Sequence, residues 1–340
     1  MNQATTKACV DIGGTKVAVT LARSDHTGDH LLPDTRCTAP TVKTGARDAL
    51  VGQVLQLLDE SLALARQQGQ APGPVTAVGI SSCGPFVLVD GAVELAAPNI
   101  CGGLAGGALG LPNDWTTALL EAPLRTTLQA RLPATQPLVL RVENDCVAAL
   151  EAERLWGALQ GLDHCAYVTW STGIGAGLCV GGKILRGKNG NAGHAGHFFV
   201  SDDASGAQCG CGNLGDVEAL VAGSAIERRL GISARQLLDA AAAGDAAALR
   251  EVDALCRVLG RALYNMVVLL DLQAISLGGS VFLHHQALLL PRLQAQVTGR
   301  MAALTDGCIL VPAGLGAQVG DYAALALASD VRQRPRASQG

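Results

Sequence analysis

Two kinds of pattern alternate along the chain. Short apolar, β-branched runs read as buried strands, and longer stretches with apolar residues three and four apart read as amphipathic helices, so the expected class is α/β. The residues Cys9-Val10-Asp11-Ile12-Gly13-Gly14-Thr15-Lys16-Val17-Ala18-Val19-Thr20 predict strand, tight turn, strand. The stretch from Tyr167 to Val180 repeats the plan, with Thr172-Gly173-Ile174-Gly175 at its turn. Two such hairpins far apart in the chain predict two similar α/β halves. Between them, 46–68 carries Leu50, Val54, Leu57, Leu58 and Leu62 at helical spacing. Short strands are expected at 75–81 and 138–142, with a helix over 147–159. Beyond Ser224 the pattern predicts two shorter helices, a long one over 246–270, strands at 274–277 and 308–311, and a closing helix over 317–328. That last helix must bury its apolar face and is expected to pack back on the N-terminal half. The expected domains are 1–120, joined by 317–328, and 121–316, with a flexible polar tail over 329–340. The Gly, Ala and Leu-rich stretch 101–110 reads either as a hinge or flap or as a plain flexible insertion.

Composition narrows the class. With 340 residues, 49% apolar, the chain can bury a large core and favours two domains. A formal charge of −4 gives no basic footprint for nucleic acid. Eleven cysteines, an odd number in a long chain, fit reduced thiols better than a secreted disulfide framework. No cationic segment followed by an apolar one opens the chain, and the most apolar helical stretch is broken by Asn265 and Asp271. A cytoplasmic protein without a membrane partner is therefore expected.

The candidate chemistry sits at the turns. Gly13 and Gly14 allow backbone N–H groups to approach an anion, Thr15 adds a hydroxyl, Lys16 a charge, and Asp11 a carboxylate suited to hydrated Mg²⁺. A phosphate cradle and an ordinary Gly-Gly hairpin both satisfy this stretch. Neither turn is a P-loop, and the G-x-G-x-G spacing of Gly173, Gly175 and Gly177 fails the dinucleotide fingerprint. Ser82-Cys83-Gly84-Pro85 ends the 75–81 strand, where ligands sit in open α/β sheets. At Glu143-Asn144-Asp145, Asp145 is either a helix N-cap or a general base beside a substrate-binding Asn144. His197, Cys209, Cys211 and Asp216 supply four zinc ligands on one glycine-rich loop, which otherwise holds only two reduced thiols. Gly278-Gly279 after the 274–277 strand permits the approach of a flat ring such as adenine, and Gly-Gly-Ser is equally a plain turn.

In this order the motifs resemble the ROK family of sugar kinases and sugar-responsive repressors, over nearly the whole chain from Asp11 to the last helix. The resemblance implies a two-domain actin-like ATPase (ribonuclease H-like) fold with an interdomain cleft. It implies an ATP-dependent, glucokinase-like transfer of the γ-phosphoryl group to a hexose hydroxyl, the 6-OH of glucose or a close derivative, with N-acetylmannosamine or an aminohexose as the alternative acceptor. Asp11, Gly13, Gly14, Thr15 and Lys16 match the first phosphate motif, Thr172, Gly173 and Gly175 the second, and Gly278 and Gly279 the adenosine-side motif. Asp145 matches the catalytic base. Asn99, Asn144, His197 and Glu218 fall on hexose-binding positions. ATP, Mg²⁺ and a structural Zn²⁺ are the implied cofactors, and a homodimer is the expected assembly.

Two departures stand out. His194 occupies the glutamate position of the family's Gly-Glu-x-Gly-His motif, as in bacterial N-acetylmannosamine kinases, so the hydroxyl pattern read there is expected to differ. Asp216 replaces the third cysteine of a His-plus-three-Cys zinc site. Two other readings compete with the kinase. A repressor would carry a helix-turn-helix module ahead of the first phosphate motif, where ten residues precede Asp11. A catalytically idle sugar-binding protein is the other, and the presence of Asp145, Lys16 and both glycine turns speaks against it.

Overall fold

The computed structural model describes residues 5–104, 110–202 and 207–329. Residues 105–109 of the glycine-rich stretch 101–110, and all of the expected flexible tail over 329–340 except Ser329, lie outside the described residues; Ser329 itself is buried and its hydroxyl donates to the Leu325 carbonyl. The chain divides into two compact units, one running to Ala148 and resuming at Gly320, the other from Ala149 to Val319.

The first unit is built on strands β1 (Thr5–Ile12), β2 (Lys16–Asp25), β3 (Gly28–Pro40), β4 (Val75–Ser82) and β8 (Val139–Asn144), with helix α1 (Ala49–Gln67) between β3 and β4. A small sheet of β5 (Phe86–Val89), β6 (Ala92–Leu95) and β7 (Ala118–Leu119) precedes α2 (Glu121–Gln129). The large sheet runs β3-β2-β1-β4-β8; β1, β2 and β3 form an antiparallel meander, and β4 and β8 run parallel to β1. Because β8 pairs with β4, the first unit extends past residue 120, the expected boundary, into helix α3 (Asp145–Trp156).

The second unit repeats the plan. Strands β9 (Cys165–Trp170), β10 (Ile174–Val180), β11 (Lys183–Ile184), β12 (Ala274–Gly278) and β13 (Ile309–Pro312) lie in the order β11-β10-β9-β12-β13, with β12 and β13 parallel to β9. Its helices are α4 (Val217–Val221), α5 (Gly223–Leu230), α6 (Ala234–Ala242), α7 (Ala246–Leu270), α8 (Ser280–Leu283), α9 (Gln286–Val297) and α10 (Ala302–Thr305).

Burial explains the apolar runs. Central strands covered on both faces need apolar residues at successive positions, and Ala8, Cys9, Val10 and Ile12 in β1 are all buried. Helix α1 buries Leu50, Val54, Leu57 and Leu58 along one stripe. Asp245 caps the N-terminus of α7 by accepting from the Ala247 and Ala248 N–H groups. The closing helix, α11 (Val319–Ala328), lies on β4 so closely that a Cβ at Gly79 would run into the Ala324 carbonyl and the Ala328 N–H.

This topology sets three strand ends side by side. Ile12 pairs with Ser82 and Ser82 with Asn144, so the residues around the carboxyl ends of β1, β4 and β8 are neighbours. In the second unit Gly278 pairs with Thr169, bringing the end of β12 beside the hairpin turn at 171–173.

Candidate active site

In the first unit, the Gly13-Gly14-Thr15 turn is closed by the Gly13 N–H donating to the Lys16 carbonyl at 2.9 Å. It is tied to the end of β3 through the Thr41 hydroxyl, 2.7 Å from the Gly13 carbonyl. Thr15 and Lys16 stay exposed. Gly14 is glycine for a steric reason: a Cβ there would occupy the space of the Asn99 amide. The turn and Asn99 are therefore in contact, and Cys83 Sγ lies 3.9 Å from Asn99 Oδ1 on another side.

Two carboxylates share this neighbourhood. Asp11, near the end of β1, has its pKa pushed up to about 6 by burial and then by the charge of Asp145; Arg36 and Lys16 oppose the shift. Asp145, the first residue of α3, is also raised, chiefly by burial, while its bond from the Cys146 N–H to Oδ1 at 2.8 Å works against the rise. The Cys146 N–H also donates to Asn144 Oδ1 at 3.0 Å, so the helix start is satisfied by both residues of the pair. Burial and the nearby Asp145 and Asp11 charges push the Cys83 thiol up, which keeps it protonated. Asp321, at the start of α11, pairs with Arg36 and accepts from the Thr20 hydroxyl at 2.9 Å, and a Cβ at Gly320 would lie 3.0 Å from Asp11 Oδ2. Arg36 and Asp321 escape motif reading because nothing local in their sequence marks them; the topology brings them to Asp11, and it brings Cys83, from the turn expected near a ligand, there as well.

In the second unit, the Ser171-Thr172-Gly173 turn is held from two sides. The Ser171 N–H donates to the Gly173 carbonyl at 3.0 Å within the hairpin. Across it, Glu218 Oε2 accepts the Ile174 N–H at 3.0 Å, and a Cβ at Gly173 would stand 2.7 Å from that oxygen. The Gly223 N–H donates to the Ser171 carbonyl at 2.8 Å, and the Ser224 hydroxyl to the Thr172 carbonyl at 2.8 Å. Gly278 and Gly279 pack on β9: Cβ atoms there would strike the Tyr167 ring and the Trp170 backbone, and Gly279 has a φ of 88°. Close packing alone accounts for both glycines.

The loop after β11 brings four ligand atoms together. The donor atoms of His197, Cys209, Cys211 and Asp216 all lie within 4.8 Å of one another. His197 Nδ1 is 3.3 Å from Asp216 Oδ2 and 3.5 Å from Cys209 Sγ, and Cys211 Sγ is 3.3 Å from Asp216 Oδ2. A tetrahedral ion with bonds of about 2.0–2.3 Å has ligand–ligand edges of about 3.3–3.8 Å. The residues present therefore fit zinc in chemistry, and the three edges of 3.3, 3.5 and 3.3 Å fall in that range. Asp216 is fully buried, and its Oδ1 accepts the Ala219 N–H at 2.7 Å as the N-cap of α4. Beside this loop the His194 ring stacks on His197 with centroids 5.9 Å apart, and its buried Nε2 has no hydrogen-bond partner among the described residues. Burial, and then the His197 charge, lowers its pKa, so the ring is held neutral.

A duplicated sheet whose first hairpin in each half carries a glycine-threonine turn defines the actin-like ATPase class of two-unit α/β proteins. The comparisons give the family. The ROK family pattern matches residues 7–331, and the chain belongs to that family. A glucokinase of Aeropyrum pernix is 30% identical over 94% of this chain and 95% of its own. An N-acetylmannosamine kinase of Shigella boydii is 32% identical over 81% of this chain and 83% of its own. Among solved structures, a ROK family glucokinase from Streptomyces griseus, in complex with glucose and AMPPNP, is 27% identical, with 96% of this chain and 99% of that one aligned at a TM-score of 0.69.

Proposed function

We propose that the chain is an ATP-dependent sugar kinase that transfers the γ-phosphoryl group of ATP to a hexose hydroxyl, the 6-OH of glucose or a close derivative. The observation that carries this reading is the meeting of Asp11, Asp145, Asn99 and the Gly13-Gly14-Thr15-Lys16 turn at adjacent strand ends, in a chain of the ROK family. Asp145 is the general base: it stands directly after the carboxyl end of β8, beside Asn144, and burial raises its carboxyl above the usual carboxylate range. It removes the proton of the attacking hydroxyl, whose oxygen bonds to the γ-phosphorus in line as the bond to the ADP oxygen breaks.

The turn amides at Gly13–Thr15 and at Thr172, Gly173 and Gly175, with the Lys16 ammonium, bind ATP phosphates, and Gly278 and Gly279 take the adenosine side. Asp11 is the residue that would hold Mg²⁺, which spreads the charge building on the phosphate oxygens. Asn99, Asn144, His194, His197 and Glu218 bind the sugar. With its Nδ1 turned to Asp216 and Cys209, His197 has Nε2 to offer a hydroxyl. His197, Cys209, Cys211 and Asp216 would hold Zn²⁺, a structural ion that fixes this loop and supplies no Lewis-acid chemistry.

The buried Nε2 of His194, without a partner among the described residues, favours a second acceptor, N-acetylmannosamine, because an imidazole reads a different hydroxyl or amide pattern from a carboxylate. A coupled ADP-release assay across glucose, mannose and their 2-acetamido derivatives tests both; the reading expects turnover on one of these sugars and fails if none releases ADP above the sugar-free rate. A cytoplasmic homodimer belongs to the same proposal. The net charge of −4 supports a small-molecule role without nucleic acid, and no described helix is long and apolar enough to cross a membrane.

A further inference from the structure

We infer that the four-ligand loop and the second glycine-threonine turn act as one coupled unit, with Asp216 and Glu218 on α4 as the positioning residues that join them. The metal occupancy of the loop then sets the order of the turn and, resting on the kinase reading, its affinity for nucleotide phosphate.

The path is short and continuous. Asp216 turns one oxygen to the His197 and Cys211 ligand atoms and caps α4 with the other. Two residues on, Glu218 spans the remaining gap: its Oε1 lies 3.9 Å from Cys209 Sγ, and its Oε2 accepts the Ile174 N–H at the foot of the turn. The segment leaving α4 completes the hold, because the Gly223 N–H and the Ser224 hydroxyl donate to the Ser171 and Thr172 carbonyls. The turn keeps one bond of its own hairpin, from the Ser171 N–H to the Gly173 carbonyl, and takes the rest of this support from a segment whose N-cap is a metal-site residue. Without an ion, His197 and Cys211 are joined to Asp216 Oδ2 only by hydrogen bonds of 3.3 Å, weaker than metal–ligand bonds. The Asp216 side chain is then held less firmly, its cap weakens without being lost, and α4 loosens together with the turn it carries.

Hydrogen exchange at the Ile174 and Gly223 amides tests this in zinc-loaded protein, in protein stripped by a chelator and checked by elemental analysis, and in the Glu218→Ala variant. Stripping is expected to speed exchange at both amides at least tenfold, reversibly on zinc return, while Val168 and Ile275 in the sheet keep their protection. Glu218→Ala, which leaves the four ligands in place, should exchange fast at Ile174 with or without zinc. Unchanged exchange after zinc loss, purified protein that binds no zinc, a full response to stripping at Ile174 in Glu218→Ala, or loss of protection throughout the sheet would each overturn the coupling. A parallel titration with a non-hydrolysable ATP analogue should show Kd rising about tenfold on stripping. Faster exchange with an unchanged Kd would uphold the coupling and overturn the assignment of this turn to nucleotide.

Discussion

Burial, and then the charge of Asp145, disfavours the ionised form of Asp11, and burial does the same for Asp145. On the proposed roles, a proton on either removes the base or the Mg²⁺ ligand, so kcat/KM should fall with a slope between one and two below about pH 6, the value to which Asp11 is raised. A pH–rate profile flat down to pH 5 would contradict this. Replacing the base, Asp145→Asn should lower kcat by at least about a hundredfold with nucleotide binding kept, since general-base loss is commonly of that size; a variant that turns over normally would make Asp145 a helix start and no more. The same shift bears on stability. Folded Asp11 keeps its proton up to about pH 6 while the unfolded chain releases it near 3.8, so the carboxylate weakens the fold as pH rises through that window and its full cost stands above it. Asp11→Asn should therefore stabilise the protein at pH 7, by on the order of 2 kcal/mol, and lose the advantage below about pH 4. Urea titrations at pH 7 and pH 4 check the sign. Asp216 shows the opposite conflict: Asp216→Cys should tighten zinc binding through a softer ligand and yet cost the metal-free protein about 1 kcal/mol through the lost cap of α4. Chelator competition and melting of the stripped variant measure the two effects separately.

Among the helices, α3 and α11 do more than cover the sheets. In α3 the fully buried Glu153 gathers the N–H groups of Ala158, Gly314 and Leu315 at 2.8, 3.0 and 2.9 Å. Glu153→Ala would leave three backbone donors without an acceptor and should cost about 3 kcal/mol or more in urea unfolding; a loss under 1 kcal/mol would mean that water replaces the carboxylate. These elements were legible in the sequence to different degrees. The long helix over 246–270 matches α7 because its apolar stripe and the Asp245 cap agree. The closing helix was readable from its apolar face, and its contact with β4 explains Gly79. The small β5-β6-β7 sheet was not legible, since two of its strands have four residues and the third two, too short for a periodic signal. Glu153 was invisible for a different reason: a charged residue on a helix reads as solvated until the chain that surrounds it is known.

Over the whole chain, one sheet plan occurs twice, and each copy presents a glycine-threonine turn at the end of its first hairpin. The two turns, the Asn144–Asp145 junction and the four-ligand loop could be read because each is local in sequence. What could not be read is which residues the strand order adds to them: Cys83 and Asn99 at Gly14, Arg36 and Asp321 near Asp11, Glu218 against Gly173. His194 lies between these cases, marked by its motif position and given meaning by its stacking on His197. His194→Glu should reorder kcat/KM among glucose, mannose and their 2-acetamido derivatives while leaving the KM for ATP within about twofold; a uniform scaling of all four sugars would show that the ring supports the loop without reading the substrate.

The most direct measurement is sugar-dependent ADP release by the purified protein with ATP and Mg²⁺, run beside Asp145→Asn over the same sugars. The account predicts that at least one hexose raises ADP release well above the sugar-free rate, that a sugar phosphate forms in equal amount, and that the variant abolishes both. ADP release indifferent to every sugar, or sugar phosphate formed equally well by Asp145→Asn, would contradict it.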